Sequence, residues 1–220
     1  DTKNQVYSVA FTIYGLSEYY RAVGDAAALE LAIKLYESLE RYARDRLYGG
    51  YIEALERNWQ PLSDMSLSDR DMNVPKSMNT HLHVMEAYTN LLRVNDTPVL
   101  RESLQSILEI MLERILNHKT NSFDVFFTMN WSSCANVVSY GHNIEGSWLI
   151  CESAEVLGNP ALLEKARKAA VSMAEQVRKD GVDPVYGGIY YEMHDRMLDE
   201  SKDWWPQAEA VVGFFNAWQV

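Results

Sequence analysis

The sequence predicts an all-α fold, a toroid of helical hairpins with short β excursions in the connections, and three observations predict it. Apolar residues recur with helical periodicity along most of the 220 residues. Three breaks, Gly24-Asp25, Asn95-Asp96 and Gly158-Asn159-Pro160, each close one helix and open another. Unusual helix starts recur at a fixed interval: Asn79 to His142 and His142 to Trp205 are each 63 residues apart, the mark of an internal repeat.

The elements follow in order. A first helix from about Val6 turns at Gly24-Asp25 into a second over about Ala26–Arg46. Its partners in the next two hairpins are helices from about Met78 and Asn143, followed by helices over about Pro98–Leu116 and Ala161–Arg178. A seventh helix begins near Pro206, suited to a first helical turn, and is still running at Val220. Between hairpins, Leu47-Tyr48-Gly49-Gly50-Tyr51 and Val185-Tyr186-Gly187-Gly188-Ile189-Tyr190-Tyr191 read as β-turn excursions, and Phe123-Asp124-Val125-Phe126-Phe127 takes the same place in the middle repeat. Asp64–Asp71 reads as a solvated loop. One hairpin cannot bury its apolar face alone, so repeated hairpins stack into a ring or superhelix. The second helices have the amphipathic pattern of an outer layer, which puts the first helices inside. About seven helices make an incomplete ring, so residues 1–220 are expected to be one catalytic-domain fragment lacking flanking helices at both ends.

Composition narrows the function classes. A 47% hydrophobic chain of this length buries a sizeable core. A net charge of -11 without clustered Lys and Arg argues against a nucleic-acid partner. The apolar runs fall short of a membrane span, and the Asp1-Thr2-Lys3-Asn4 start lacks the apolar core of a signal peptide, so a cytoplasmic protein that engages no membrane is expected. Cys134 and Cys151 have neither disulfide-framework nor zinc spacing and read as free thiols.

Chemistry-bearing residues gather at the inner-helix starts. Asn79 and His83 are four apart and share a helix face, with Glu86 three later, while His81 points elsewhere. They read as ligand contacts, or as a local cap and a satisfied buried histidine. No metal is expected, since histidines at i and i+2 project apart and no His-Glu-x-x-His pattern occurs. In Gly141-His142-Asn143-Ile144-Glu145-Gly146-Ser147-Trp148, His142 is placed to reach a ligand, Glu145 to orient the imidazole or bind a hydroxyl, and Trp148 to offer a flat face to a sugar ring. The plainer reading is a dipole-complementing Glu beside a capping His and a core Trp. In Trp204-Trp205-Pro206-Gln207-Ala208-Glu209, Trp205 and Glu209 share a face, and one of the two tryptophans is expected to be core. Tyr7 holds the equivalent place in the first helix, as a ligand contact or as packing. His118 and His194 read as loop residues.

The segments Asn79-Thr80-His81-Leu82-His83, Gly141-His142-Asn143-Ile144-Glu145 and Trp204-Trp205-Pro206-Gln207-Ala208-Glu209, with Tyr14-Gly15-Leu16-Ser17-Glu18-Tyr19-Tyr20, resemble the signatures of cellobiose 2-epimerases of the N-acylglucosamine 2-epimerase superfamily. The resemblance covers essentially the whole chain and implies an (α/α)6 barrel. It implies epimerisation at C2 of the reducing-end glucose of a β-1,4-linked disaccharide, without cofactor or metal, by a monomer or weak homo-oligomer. It makes His142 one of two acid/base histidines and lines the sugar pocket with Tyr7, Asn79, His83, Glu145, Trp148, Trp205 and Glu209. The second histidine and a substrate-binding arginine are expected outside these 220 residues. The chain departs from the pattern at Asn143, where relatives commonly carry Asp, and at Gly146, where they commonly carry Ala. Another superfamily isomerase, a glycoside hydrolase or a sugar-binding module are the alternatives.

Overall fold

The computed structural model describes residues 3–69 and 71–220; Asp1, Thr2 and Arg70 lie outside the described residues, and Arg70 takes part of the Asp64–Asp71 loop with it. In chain order the elements are β1 (Lys3–Gln5), α1 (Val6–Val23), α2 (Ala26–Ser38) with a π-helical turn (Leu39–Ala43), β2 (Ala54–Glu56), β3 (Lys76–Ser77), α3 (Met78–Leu92), α4 (Pro98–Ile110) and a second π-helical turn (Met111–Ile115). They continue with β4 (Leu116–Asn117), β5 (Ser122–Phe123), β6 (Phe126–Phe127), β7 (Val137–Ser139), α5 (Tyr140–Leu157), α6 (Pro160–Asp180), β8 (Glu192–His194), β9 (Met197–Asp199) and α7 (Trp204–Gln219).

The predicted breaks are the observed hairpin corners. Gly24 and Gly158 end α1 and α5 in the left-handed conformation, with φ of 73° and 68°, where a side chain would be strained. Asp25 then caps α2 by accepting the Ala27 N–H at 2.9 Å, and Asn159 caps α6 by accepting those of Ala161 and Leu162. Four boundaries move. The regular α-helices of the first two outer segments stop at Ser38 and Ile110, because a π-helical turn follows each. Helix α5 starts at Tyr140 rather than Asn143, so His142 lies inside the first turn; α7 starts at Trp204 rather than Pro206. His194 ends strand β8 rather than sitting in a loop. In the middle excursion Phe123 belongs to β5 and Phe126–Phe127 to β6.

The chain forms two compact units, one of Asp1–Ile110 with Phe126–Ser133 and one of Met111–Val125 with Cys134–Val220. In the first, α1 packs on α2 and α3, and α3 on α4. β1 pairs antiparallel with β2, Lys3 opposite Glu56, and β3 with β6, Lys76 opposite Phe127. In the second, α5 packs on both α6 and α7, β4 pairs with β5, and β7-β8-β9 form an antiparallel sheet.

Burial sets α3 and α5 apart from the second helices as the pattern predicts, but not α1, which buries only Val6, Ala10, Ile13 and Ser17, or α7, which buries only Pro206 and Gly213. Nearly every residue of α3 is buried, from Met78 to Leu92, and α5 buries most of its length. By contrast α4 buries one stripe (Leu100, Leu104, Ile107, Leu108) and α6 another (Leu162, Ala166, Ala170, Met173, Val177). Each large aliphatic side chain in these stripes contributes about 1.5–3 kcal/mol. Helices α5 and α7 touch closely: a Cβ added to Gly213 would lie 2.5 Å from the Ile144 carbonyl oxygen, so only glycine fits there. Of the aromatic pairs Tyr19-Tyr20 and Phe214-Phe215, one member of each is a surface feature, Tyr19 being 52% and Phe215 57% exposed. Among the described residues no helix is long and apolar enough to cross a membrane.

Candidate active site

The predicted site residues fall into two groups, one in each unit. In the first unit the Ser77 hydroxyl caps α3 by accepting the Thr80 N–H at 3.1 Å, which fixes where the helix begins and so where Asn79 and His83 sit. His83 is buried, and its Nδ1 donates to Glu86 Oε2 at 2.9 Å. That leaves Nε2 free of this contact. Two α1 rings hold the imidazole: Tyr7 edge-on at 5.1 Å and Phe11 tilted at 4.6 Å between centroids. Tyr7 and His83 are thus brought into ring contact. Asn79 Oδ1 is fully buried and has no hydrogen-bond partner among the described residues, an arrangement that burial disfavours unless a bound group satisfies it.

Beneath this helix start lies a carboxyl that sequence reading passed over. Glu53 is buried and accepts the hydroxyls of Ser77 and Thr80, each at 2.7 Å. Burial pushes it up to about 7, against the two hydroxyl hydrogen bonds. His81, which was expected to point away from His83, is fully buried, donating from Nδ1 to the Ser77 carbonyl at 2.7 Å and accepting the Tyr51 N–H on Nε2 at 2.9 Å. Burial holds it down to about 4, so it stays neutral.

In the second unit the first turn of α5 presents His142, whose Nδ1 lies 2.7 Å from the Ser139 hydroxyl oxygen. Ser139 is the residue preceding the helix, but its side chain makes no capping bond; it is engaged with the imidazole instead. The Trp205 ring packs on the other part of the histidine at 4.8 Å, tilted by 57°. This contact requires Gly141, since a Cβ there would fall 2.5 Å from Trp205 Cη2. Glu145 is buried one turn on from His142, and Trp148 Nε1 donates to Glu209 Oε2 at 2.8 Å. Of the paired tryptophans neither is core: Trp204 is 80% exposed and Trp205 is half-buried against His142. The expectation that one would be core fails because Pro206, next along the helix, takes the buried face.

Asn143 explains its own departure from the signature. Its Oδ1 accepts the Phe123 N–H at 2.7 Å and its Nδ2 donates to the Ser139 carbonyl at 2.8 Å; a carboxylate would supply only the first bond. Gly146 is likewise fitted to Phe123, whose Cε2 would lie 2.1 Å from an added Cβ. Sequence reading missed Glu53, Ser139 and the anchoring roles of His81, Asn143 and Gln207. The shared position shows only once the helix starts are known, since the three stand 62 and 64 residues apart and a fixed interval of 63 misaligns Asn143 by one.

Residues 1–219 match the family model described as N-acylglucosamine 2-epimerase (GlcNAc 2-epimerase). The chain belongs to the N-acylglucosamine 2-epimerase family. Within the family it is similar to the cellobiose 2-epimerase of Bacteroides fragilis, at 43% identity over 98% of this chain and 55% of that protein. It is also similar to the cellobiose 2-epimerase of Ruminococcus albus, at 35% identity over 100% of this chain and 55% of that one. The solved cellobiose 2-epimerase from Bacillus thermoamylovorans superimposes with a TM-score of 0.93, at 35% identity over 99% of this chain and 55% of the other. The chain thus spans about half the length of the family members it matches.

Proposed function

We propose that the whole protein is a cofactor-independent cytoplasmic isomerase, built as an (α/α)6 barrel, that inverts C2 of the reducing-end glucose of a β-1,4-linked disaccharide such as cellobiose. His142 is one of its acid/base groups. The observation that carries the reading is the held imidazole of His142, with the Ser139 hydroxyl at 2.7 Å and Trp205 against the ring, in a chain whose relatives at 33–43% identity are named cellobiose 2-epimerases.

Opening the pyranose ring exposes an aldehyde at C1 and makes the C2 hydrogen acidic. A base removes that proton, the electron pair moves into a C1–C2 double bond, and the C1 oxygen takes the negative charge as an enediolate. Delivery of a proton to the opposite face of C2 restores the aldehyde with inverted configuration. An imidazole titrating near neutrality suits either step, and inversion needs a group on each face, so a second histidine outside these 220 residues completes the pair. Tyr7, Asn79, His83, Glu145, Trp148, Trp205 and Glu209 bind the sugar: the aromatic faces meet its C–H surfaces and the polar groups its hydroxyls. The orphaned Asn79 Oδ1 supports a hydroxyl donor arriving with the ligand.

The test is His142→Ala in the full-length protein, following C2 hydrogen exchange in deuterated water with cellobiose. Exchange is expected to fall by at least about a hundredfold; undiminished exchange overturns the role. A product that is ketose rather than the C2 epimer would assign the protein to the aldose–ketose isomerases, and release of monosaccharide to the glycoside hydrolases. The 220-residue piece alone is expected to turn over little or no substrate.

A further inference from the structure

Three side chains hold one position in three repeats: His81, Asn143 and Gln207. Each is the fourth residue of its helix, α3, α5 or α7. Each donates to the carbonyl of the residue preceding that helix: His81 to Ser77 at 2.7 Å, Asn143 to Ser139 at 2.8 Å and Gln207 to Asp203 at 3.2 Å. Each also accepts a backbone N–H from the connection that follows an outer helix: Tyr51 at 2.9 Å, Phe123 at 2.7 Å and Ile189 at 2.8 Å.

The connections match in the same register. Asp45, Asn117 and Asp183 stand six residues before those N–H donors and turn the chain by accepting the N–H two residues on, from Leu47, Lys119 and Val185. Side-chain length and turn residue vary together. The long acceptors His81 and Gln207 approach Gly50 and Gly188, where an added Cβ would meet His81 Nε2 at 2.5 Å and Gln207 Oε1 at 2.9 Å. The shorter Asn143 serves the repeat in which Ser122 stands at that turn position.

Two residues beyond each anchor stand His83, Glu145 and Glu209, three polar members of the candidate site. Residues two apart on an α-helix project about 200° from one another. An anchor gripping the connection on one side therefore sets the site residue on the other. We infer that His81, Asn143 and Gln207 are positioning residues, a repeated side-chain clamp that fixes the first turn of each inner helix and thereby the placement of His83, Glu145 and Glu209. Their part in turnover rests on the epimerase reading; the clamp itself does not.

Gln207 gives the cleanest test, because Glu209 carries its own reporter in the Trp148 indole N–H. The Trp131 indole, which donates to the Tyr48 carbonyl at 2.8 Å in the other unit, is the internal control. In the full-length protein with 15N-labelled tryptophan, Gln207→Leu is expected to move the Trp148 indole resonance and leave that of Trp131 in place. Gln207→His, which installs the acceptor that His81 supplies in its own repeat, is expected to return it. Gln207→Met, which keeps the length without the amide, replaces the leucine variant if that fails to fold. C2 exchange should drop by about tenfold or more with the anchor lost and recover with histidine, since small misplacements of site groups have effects of that size. An unmoved Trp148 resonance in the folded anchor-loss variant, or histidine failing to restore it, overturns the clamp. Absence of exchange in the parent protein sinks the epimerase reading and leaves the indole measurement standing.

Discussion

Glu209 of α7 accepts the indole N–H of Trp148 of α5 at 2.8 Å, tying together two helices of the second unit. A neutral donor on a carboxylate is worth about 1.5–3 kcal/mol. The bond fixes both the plane of the tryptophan and the direction of the carboxylate. Trp148→Phe keeps an aromatic face and removes the donor. On the proposed epimerase reading, in the full-length protein it is expected to raise KM for cellobiose about tenfold while lowering the unfolding temperature only slightly, as read by steady-state kinetics beside a thermal melt. An unchanged KM would remove Trp148 and Glu209 from the substrate's surroundings.

The fit of Gly146 to Phe123 makes a second expectation. Phe123 is buried and its ring edge occupies the place of an alanine methyl group, 2.1 Å from where that Cβ would stand. Gly146→Ala gains helix propensity of about 1 kcal/mol but forces the ring to move, and overpacking a filled site costs about 1–3 kcal/mol. The variant is expected to unfold at lower denaturant concentration than the parent, and Phe123→Leu in the same chain to recover part of the loss. A stabilised single variant would show that the ring yields freely.

Much of this was legible before the structure. The hairpin corners carry their own signals in Gly24-Asp25 and Gly158-Asn159-Pro160, and the 63-residue interval came within one residue of the helix starts, which are spaced by 62 and 64. Local chemistry of that kind is written in adjacent residues. What was hidden depends on long-range meetings: Glu53 reaches Ser77 and Thr80 across 24 and 27 positions, and Trp148 reaches Glu209 across 61. Ser139 escaped because a serine before a helix reads as a cap, whereas here its hydroxyl is engaged with His142. The Trp204-Trp205 pair, expected to place one ring in the core, was misjudged for a related reason, since hydrophobicity alone does not say whether an aromatic ring is buried.

Lys76 shows how the repeat predicts its own repair. Its ammonium is fully buried, bonded to Asp45 Oδ2 and the Gly49 carbonyl at 2.7 Å and the Met129 carbonyl at 2.8 Å, with the Trp131 ring at 4.5 Å. Lys202 grips Asp183 in the equivalent register at 2.5 Å, while the middle repeat has Asn117 and Val138 in those places. Lys76→Val alone strands the Asp45 carboxylate and is expected to destabilise by about 3–5 kcal/mol. Adding Asp45→Asn reproduces the uncharged pairing of the middle repeat and is expected to return more than half of that. Chemical denaturation of the two variants checks it: equal losses would mean that the stranded charge is not the cause.

Glu53 and His81 set opposing pH dependences in the first unit, joined through Ser77, whose hydroxyl donates to the carboxylate and whose carbonyl accepts from the imidazole. Burial raises Glu53 from 4.5 to about 7, with the Asp71 charge adding to the rise, so its contribution to stability is complete below about 4.5 and is lost as pH climbs through 7. Burial depresses His81 from 6.5 to about 4, with Lys76 adding to the fall, so its contribution is complete above about 6.5 and is lost as pH drops through 4. Each shift corresponds to about 3 kcal/mol. Between pH 4.5 and 6.5 the two slopes largely offset one another. Glu53→Gln keeps a neutral hydrogen-bonding group under α3 and deletes only the falling slope. Its stability is therefore expected to rise from pH 4.5 to 6.5 more steeply than the parent's, and the gap to keep widening up to pH 7. Urea midpoints measured across that range decide it, and parallel curves for the two proteins would show that Glu53 is already ionised throughout.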